Sequence, residues 1–312
     1  MKVLVAGATG GLGRSLVPKL IEAGHEVTAM VRSEASAAGV RKQGAQLVFA
    51  DGLDADAVKA AVAEARPEVV VHQMTALKAG IDFKKFDESF ALTNRLRTEG
   101  TDNLLAASRA NGVRRIVAQS YAGWNLQRGG SPTKTEDVPL DPNPAPASRQ
   151  TMAAIRHVED AVTGDQAIEG LVLRYGSFYG PTGMIGKGGE MVEMIRQRKL
   201  PLVGDGSGVW SFIHYDDAAD ATVRAVETGD PGIYQIADDD PASAGVWLPE
   251  LASILGGKPP RHIPAWLAKL AVGEMAVSAF TQIRGADNSK AKDAFNWQPG
   301  YASWRQGFRQ GL

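Results

Sequence analysis

The chain has 312 residues, 34 Lys and Arg against 35 Asp and Glu, a formal net charge of −1 and 44% hydrophobic residues. That length carries one large α/β unit or two unequal lobes, and the balanced charge gives no electrostatic case for a nucleic-acid or anionic-membrane partner. There is no cysteine, which removes disulfides, thiolate catalysis and cysteine-ligated zinc, and no metal site is expected.

Val3 to Ala6 is a short apolar run without charge, the pattern of a strand buried on both faces. Gly7, Gly10 and Gly13 follow at three-residue spacing, ahead of an apolar-periodic helix (Leu12, Leu16, Val17, Leu20, Ile21). In a strand–turn–helix context the first glycine makes the tight turn, the second lets a pyrophosphate approach bare backbone, and the third lets helix pack on strand. The phosphates then meet free N–H groups at the positive end of the helix dipole. Gly7, Thr9, Gly10, Gly11, Leu12 and Gly13 are therefore the expected cofactor cradle. Pro18 should remove one helix bond and bend the helix. A glycine turn starting at residue 7 leaves no room for a cleaved leader, so a cytoplasmic protein is expected.

Gly7-Ala-Thr-Gly-Gly-Leu-Gly13 resembles the signature of the extended short-chain dehydrogenases/reductases, the NAD-dependent epimerase/dehydratase group. The resemblance implies a Rossmann-type doubly wound parallel sheet with a smaller C-terminal α/β substrate-binding lobe. The dinucleotide-binding domain is placed at residues 1–175 and the substrate lobe at 176–312, with some later segments returning to the sheet. It also implies a small-molecule substrate, and a homodimer is usual in that family.

Glu26 to Val31 reads as the second strand, closed by Arg32-Ser33 where the adenosine ribose should lie. NAD sites place an acid near here. A guanidinium instead suits a 2′-phosphate: Arg32 stands here and another arginine, Arg14, directly follows the last glycine, so NADP is expected and NAD is the alternative. Gln46 to Ala50 is the third strand, and Asp51-Gly52-Leu53 ends it. Asp51 resembles the family's adenine-binding aspartate, and reads equally as a turn or cap residue. A helix at 55–65 leads to the strand at 68–72, where His72 reads as a buried, hydrogen-bonded histidine. Gln73 falls near the nicotinamide-side ribose. Phe83 to Ala110 reads as a long helical stretch, in one piece or two, and Arg114 to Ala118 as the fifth strand.

Gln119-Ser120-Tyr121 then lies at a strand carboxyl end, facing the reacting centre. The loop at 122–148, with prolines at 132, 139, 142, 144 and 146, reads as a substrate wall. A helix from 149 to 162 and a strand at 169–173 precede Arg174-Tyr-Gly-Ser-Phe-Tyr-Gly-Pro181, which resembles the family's turn into the substrate lobe. Beyond it come a helix to Lys199, an Asp216-Asp217 helix cap, a strand at 232–237 and a helix at 247–255. Ile263 to Phe280 reads as one amphipathic helix, interrupted in hydropathy by Lys269 and Glu274 and too polar to span a membrane.

The family's chemistry rests on Tyr-x-x-x-Lys in the helix after the long loop, where the lysine lowers the phenol's pKa. Residues 147–163 contain neither Tyr nor Lys. Aligned through Glu159, the tyrosine position holds Thr151 and the lysine position Ile155, while the family's Ser/Thr position holds Tyr121, beside Ser120. Tyr121, Ser120 and Thr151 are thus the catalytic candidates. Arg149, Arg156 and His157 are nearby bases; Arg156 and His157 sit off Thr151's helix face, and Glu159 is expected to hold one of them. Sugar-nucleotide members carry Arg-Asp where this chain has Trp210-Ser211, so the substrate diphosphate loses its partner. Trp124, Phe178, Trp210, Trp266, Leu267, Leu270, Met275 and Phe280 either line an apolar pocket or pack as core. Three readings stay open: an NADP-dependent oxidoreductase for a small apolar or aromatic carbonyl-like substrate, a sugar epimerase or dehydratase, and a non-catalytic NAD(P) sensor.

Overall fold

Strand β1 (Lys2–Ala6) is apolar from Val3 onward because both of its faces are covered. The computed structural model, which describes residues 1–77 and 80–312, sets it in the interior of a seven-stranded sheet. The other strands are β2 (Glu26–Val31), β3 (Gln46–Phe49), β4 (Val69–His72), β5 (Arg115–Tyr121), β6 (Glu169–Tyr175) and β7 (Gly232–Ile236). Their order is β7-β6-β5-β4-β1-β2-β3, parallel throughout. The order reverses between β1 and β4, which opens a crevice at their carboxyl ends.

Val3 and Val5 join an apolar cluster with Leu16 and Leu20 of α1 (Gly11–Glu22) and Ala218 and Ala225 of a later helix, Tyr215–Glu227. Leu4 and Ala6 face the opposite cluster, with Val58 of α2 (Ala55–Ala65), Leu104 of α3 (Glu99–Ala110) and Val158 of α4 (Arg149–Thr163). Each fully buried Val or Leu contributes roughly 1.5–3 kcal/mol. A charge anywhere along β1 would therefore disturb one of two cores.

Pro18 does not break α1, which runs from Gly11 to Glu22. The carbonyl that Pro18 leaves without an intrahelical donor is that of Arg14, and the Gln43 side-chain amide donates to it at 3.0 Å.

Several elements differ from the sequence expectation. The stretch 83–110 is four pieces: Phe83–Lys85, Phe86–Ser89, Ala91–Arg97 and α3. At the last break the Thr98 hydroxyl donates back to the Asn94 carbonyl at 3.1 Å, competing with the helix ladder. Strand β5 continues through Tyr121, paired with Tyr175, so Ser120 and Tyr121 belong to the sheet rather than to the loop beyond it. The helix expected at 247–255 spans Ala244–Ile254. Ile263 to Phe280 is two helices, Ala265–Val272 and Glu274–Thr281, parted at Gly273, whose φ of +93° ends the first. The cap of the helix at Tyr215–Glu227 is His214, whose Nδ1 accepts from the Asp216 amide, whereas Asp217 turns away to accept from the Gly300 and Tyr301 amides.

The later residues form a second apolar centre around Tyr179, Phe212, Trp247, Trp304 and Phe308. The 122–148 segment is stitched to it. Thr133–Lys134 pairs in parallel with Gly285–Ala286, and Arg128 bonds both Asp141 and Gln282 at 2.8 Å. No helix among the described residues is long and apolar enough to cross a membrane.

At the seam between sheet and lobe, Asp238 is 2% exposed. Burial, with Asp240 and Asp239 adding negative charge, pushes its carboxyl up to about 8. A folded-state value above the unfolded 3.8 means the folded chain holds the extra proton between them. Its contribution is full below the unfolded value and is lost as pH rises through about 8. Asp238→Asn keeps the neutral form at every pH. Melting temperatures of wild type and variant should diverge from pH 5.5 to 8.5, wild type falling relative to Asn; parallel curves would show that the carboxyl is ionised in the fold.

Candidate functional site

The glycine turn follows from local sterics. Gly7 has φ +99°, and a Cβ there would lie 2.4 Å from the Gln73 carbonyl oxygen. At Gly13 a Cβ would lie 2.4 Å from the Ala8 carbonyl oxygen, so only glycine lets α1 sit on its own strand. Gly10 is different. Its φ of −71° and ψ of 174° suit any residue, it is exposed, and a Cβ would meet only the Gly7 carbonyl oxygen, at 3.3 Å. Nothing inside the protein strictly requires glycine there. The open ground above Gly10, with the unpaired N–H groups of the first turn of α1, is the kind of surface a pyrophosphate takes. Thr9 is half-buried beside it, and Leu12 sends its side chain into the core, leaving its backbone to the turn.

Around the crevice, Arg32 is exposed at the end of β2 with no acid or hydrogen-bond partner among the described residues. Ser33 opens the helix Glu34–Lys42, its carbonyl accepting from the Ser36 hydroxyl at 2.7 Å. Arg14 donates to the Thr9 carbonyl at 3.2 Å. Asp51 accepts from the Leu53 amide at 3.0 Å as a turn residue, and the cap of α2 is Asp54. Gly52 is buried: a Cβ there would strike the Met74 sulfur at 2.4 Å, and its carbonyl accepts from Asn103 at 3.0 Å. Gln73 is buried under the turn, its amide donating to the Tyr175 hydroxyl at 3.3 Å. His72 is a buried histidine bonded to Thr101 at 3.0 Å, and burial and Arg97 push its pKa down to about 4, which keeps it neutral.

The three catalytic candidates part company. Tyr121 and Ser120 alternate along β5. The Ser120 hydroxyl donates to Glu159 at 2.6 Å, inside the protein. Glu159 is not a surface partner of Arg156 or His157; it is buried, and Arg174 grips it with two bonds of 2.8 and 2.6 Å. His157 is instead paired with Asp102 at 2.8 Å on the exposed side of α4. Thr151 is fully buried, donating to Asp87 at 2.7 Å and accepting from Asn94 at 3.0 Å. Tyr121 is half-buried, its ring over Gly123 and its hydroxyl 3.1 Å from Ser177 Oγ. Burial raises its phenol above the ordinary value, opposite to what an activated acid needs. Ser177, Asp87 and Asn94 were not marked by the sequence as partners of these groups; only the three-dimensional pairing brings them in.

The aromatic candidates mostly pack. Trp210 donates its indole N–H to the Ala279 carbonyl at 2.8 Å and contacts Phe212, Trp247 and Phe280. Met275 and Phe280 are buried, Trp124 meets Phe86 edge-on, and Phe178 lies between Tyr175 and Tyr215. Trp266 and Leu270 are 67% and 68% exposed, on the outside of the lobe.

The profile of the NAD dependent epimerase/dehydratase family matches residues 3–237, a span that takes in the turn, the crevice and all seven strands. The chain belongs to the NAD-dependent epimerase/dehydratase family. Its members are NAD(P)-dependent enzymes of the oxidoreductase and epimerase type, acting on small molecules. The chain is 46% identical over 309 residues to a 3-diazoavenalumate denitrifying reductase of a Streptomyces species, covering 98% of this chain and 99% of the relative. It is 31% identical over 235 residues to the 2-alkyl-3-oxoalkanoate reductase of Stenotrophomonas maltophilia, covering 74% of this chain and 67% of the relative. The Thermus thermophilus UDP-glucose 4-epimerase, solved with NAD, superposes with a TM-score of 0.74 over 100% of this chain and 97% of its own, at 24% identity, a likeness of fold.

Gly10→Val is the direct check. Its backbone conformation tolerates valine, so the variant should fold and melt near wild type while losing NAD(P) binding in calorimetry. Retained binding would make the glycine turn structural only.

Proposed function

We propose that this family member is an NADP-dependent reductase that passes hydride to a small, electron-poor aromatic acceptor without a tyrosine–lysine acid. The cofactor would lie along Gly7, Thr9, Gly10, Gly11, Leu12 and Gly13, with Asp51, Gly52, Leu53 and Gln73 around its adenine and ribose groups. Arg32, with Ser33, would hold the 2′-phosphate. The observation that carries the reading is that α4 offers no proton donor to the crevice: it has neither Tyr nor Lys, and Thr151 is committed to Asp87.

When bound, the nicotinamide supplies hydride. A carbonyl that accepts hydride becomes an alkoxide, and the protein must then give a proton. A diazonium carbon framework behaves differently. Hydride added at its terminal nitrogen gives a diazene, which loses N2 and leaves that hydrogen on carbon, so no proton is drawn from the site. The name of the 46% relative joins a diazo substrate to reduction and loss of nitrogen. An unactivated phenol at Tyr121 fits an acceptor that asks no proton of the site. Against an epimerase stands Trp210, seated in the lobe core where sugar-nucleotide members place arginine. Against a sensor stands the full-length likeness to a reductase. If a carbonyl is the acceptor after all, Tyr121 is the acid, with Ser177 orienting its hydroxyl.

Tyr121→Phe separates these acceptors. With an aryl diazonium carboxylate and NADPH, followed by cofactor absorbance and N2 release, the variant should keep near-wild-type kcat. With an aromatic ketone or aldehyde, loss of the acid should lower kcat by about 10² or more. A hundredfold loss on the diazonium compound, or a wild type that reduces only carbonyls, would overturn the proposal.

Cofactor choice has its own test. Arg32→Ala should weaken NADP by about 1.5–3 kcal/mol, the range for a hydrogen bond to a charged group, and leave NAD unchanged in parallel titrations. Equal losses, or a wild type that prefers NAD, would return the assignment to NAD.

A further inference from the structure

Tyr215 is the first residue of the helix Tyr215–Glu227, yet its ring reaches out of that helix into a slot made by three glycines. A Cβ on Gly11 would lie 2.9 Å from its Cε1, Cζ and hydroxyl oxygen. Cβ atoms on Gly183 and Gly180 would lie 3.0 and 3.2 Å from the other edge of the ring. One face stacks on Phe178, with centroids 4.9 Å apart and planes at 9°. Gly11 belongs to the phosphate-binding turn, and Gly180 and Gly183 to the bend that leads into the substrate lobe. Phenylalanine would fill this slot as well as tyrosine does. The side chain is half-buried, and its hydroxyl has no hydrogen-bond partner among the described residues, unlike those of Tyr121, Tyr175 and Tyr234. It lies against Gly11, the first residue of α1, whose first-turn N–H groups also lack a partner within the helix.

We infer that the Tyr215 hydroxyl donates a hydrogen bond to the pyrophosphate of the bound dinucleotide, adding a side-chain donor from the helix Tyr215–Glu227 to the backbone cradle at Gly10–Gly13. This rests on the dinucleotide reading of the glycine turn. Burial raises the phenol above its ordinary value, so it stays protonated, and able to donate, across the neutral range.

Tyr215→Phe keeps the ring and removes the donor. Its apo form should melt with wild type, since the hydroxyl holds nothing within the protein. Calorimetric titration should show NADP, NAD and ADP-ribose each bound about tenfold or more weakly, as expected for losing one bond to a charged acceptor. Adenosine 2′-phosphate, which has no pyrophosphate, should bind both forms alike. Unchanged affinity for all three pyrophosphate ligands would reduce Tyr215 to packing. An equal loss for adenosine 2′-phosphate would place its effect elsewhere in the site. A wild type that binds no dinucleotide would remove the cradle itself and this assignment with it, an outcome distinct from a wild type that binds and a variant that binds equally.

Discussion

The structure depends on how closely α1 approaches the strand it leaves. Gly13 rests against the carbonyls of Ala8 and Gly7, and Gly7 against that of Gln73 at the end of β4. Any side chain at either position would lift the helix or part β1 from β4. That would uncover the cluster around Val3 and Val5 and tilt the first-turn N–H groups away from the crevice. One steric condition therefore serves the core and the anion-receiving surface together. It also explains why Gly10, which the protein itself hardly requires, differs from its two neighbours in the motif.

Much of the central sheet could be read from sequence because its signals are local. A strand covered on both faces is written as an unbroken apolar run, and a turn that needs φ above zero is written as glycine. The 263–280 segment misled because its hydropathy is continuous while its backbone is not: one glycine ends the helix and turns the exposed Trp266 and Leu270 outward. Glu159 misled for a different reason. On a helix it looks like a surface neighbour of Arg156 or His157, but its partner, Arg174, lies on another element. Ser177 against Tyr121, Asp87 against Thr151 and Tyr215 against Gly11 have the same character. Each joins residues far apart in the chain, and nothing periodic announces it.

The buried group formed by Ser120, Glu159 and Arg174 gives the end of β5 an electrostatic anchor immediately behind Tyr121. A pair so enclosed is weak evidence of net stabilisation, but removal of one partner strands the other, at about 3–5 kcal/mol. It holds the strand end straight while contributing no charge to the crevice. The strand end is thereby held by charges that compensate one another within the protein.

Strand β7 and the helix Tyr215–Glu227 come from beyond the first excursion into the substrate lobe, yet they supply an edge and a covering layer of the central sheet. On a ribosome, the first six strands emerge with the face of Val3, Val5, Val71 and Leu173 covered only in part, by α1 and the helix Glu34–Lys42. The rest of its cover arrives once residues up to 227 have been made, some fifty residues after β6 is complete. The core of the amino-terminal part is therefore completed by a helix encoded well beyond it, so the two parts of the chain share one apolar cluster.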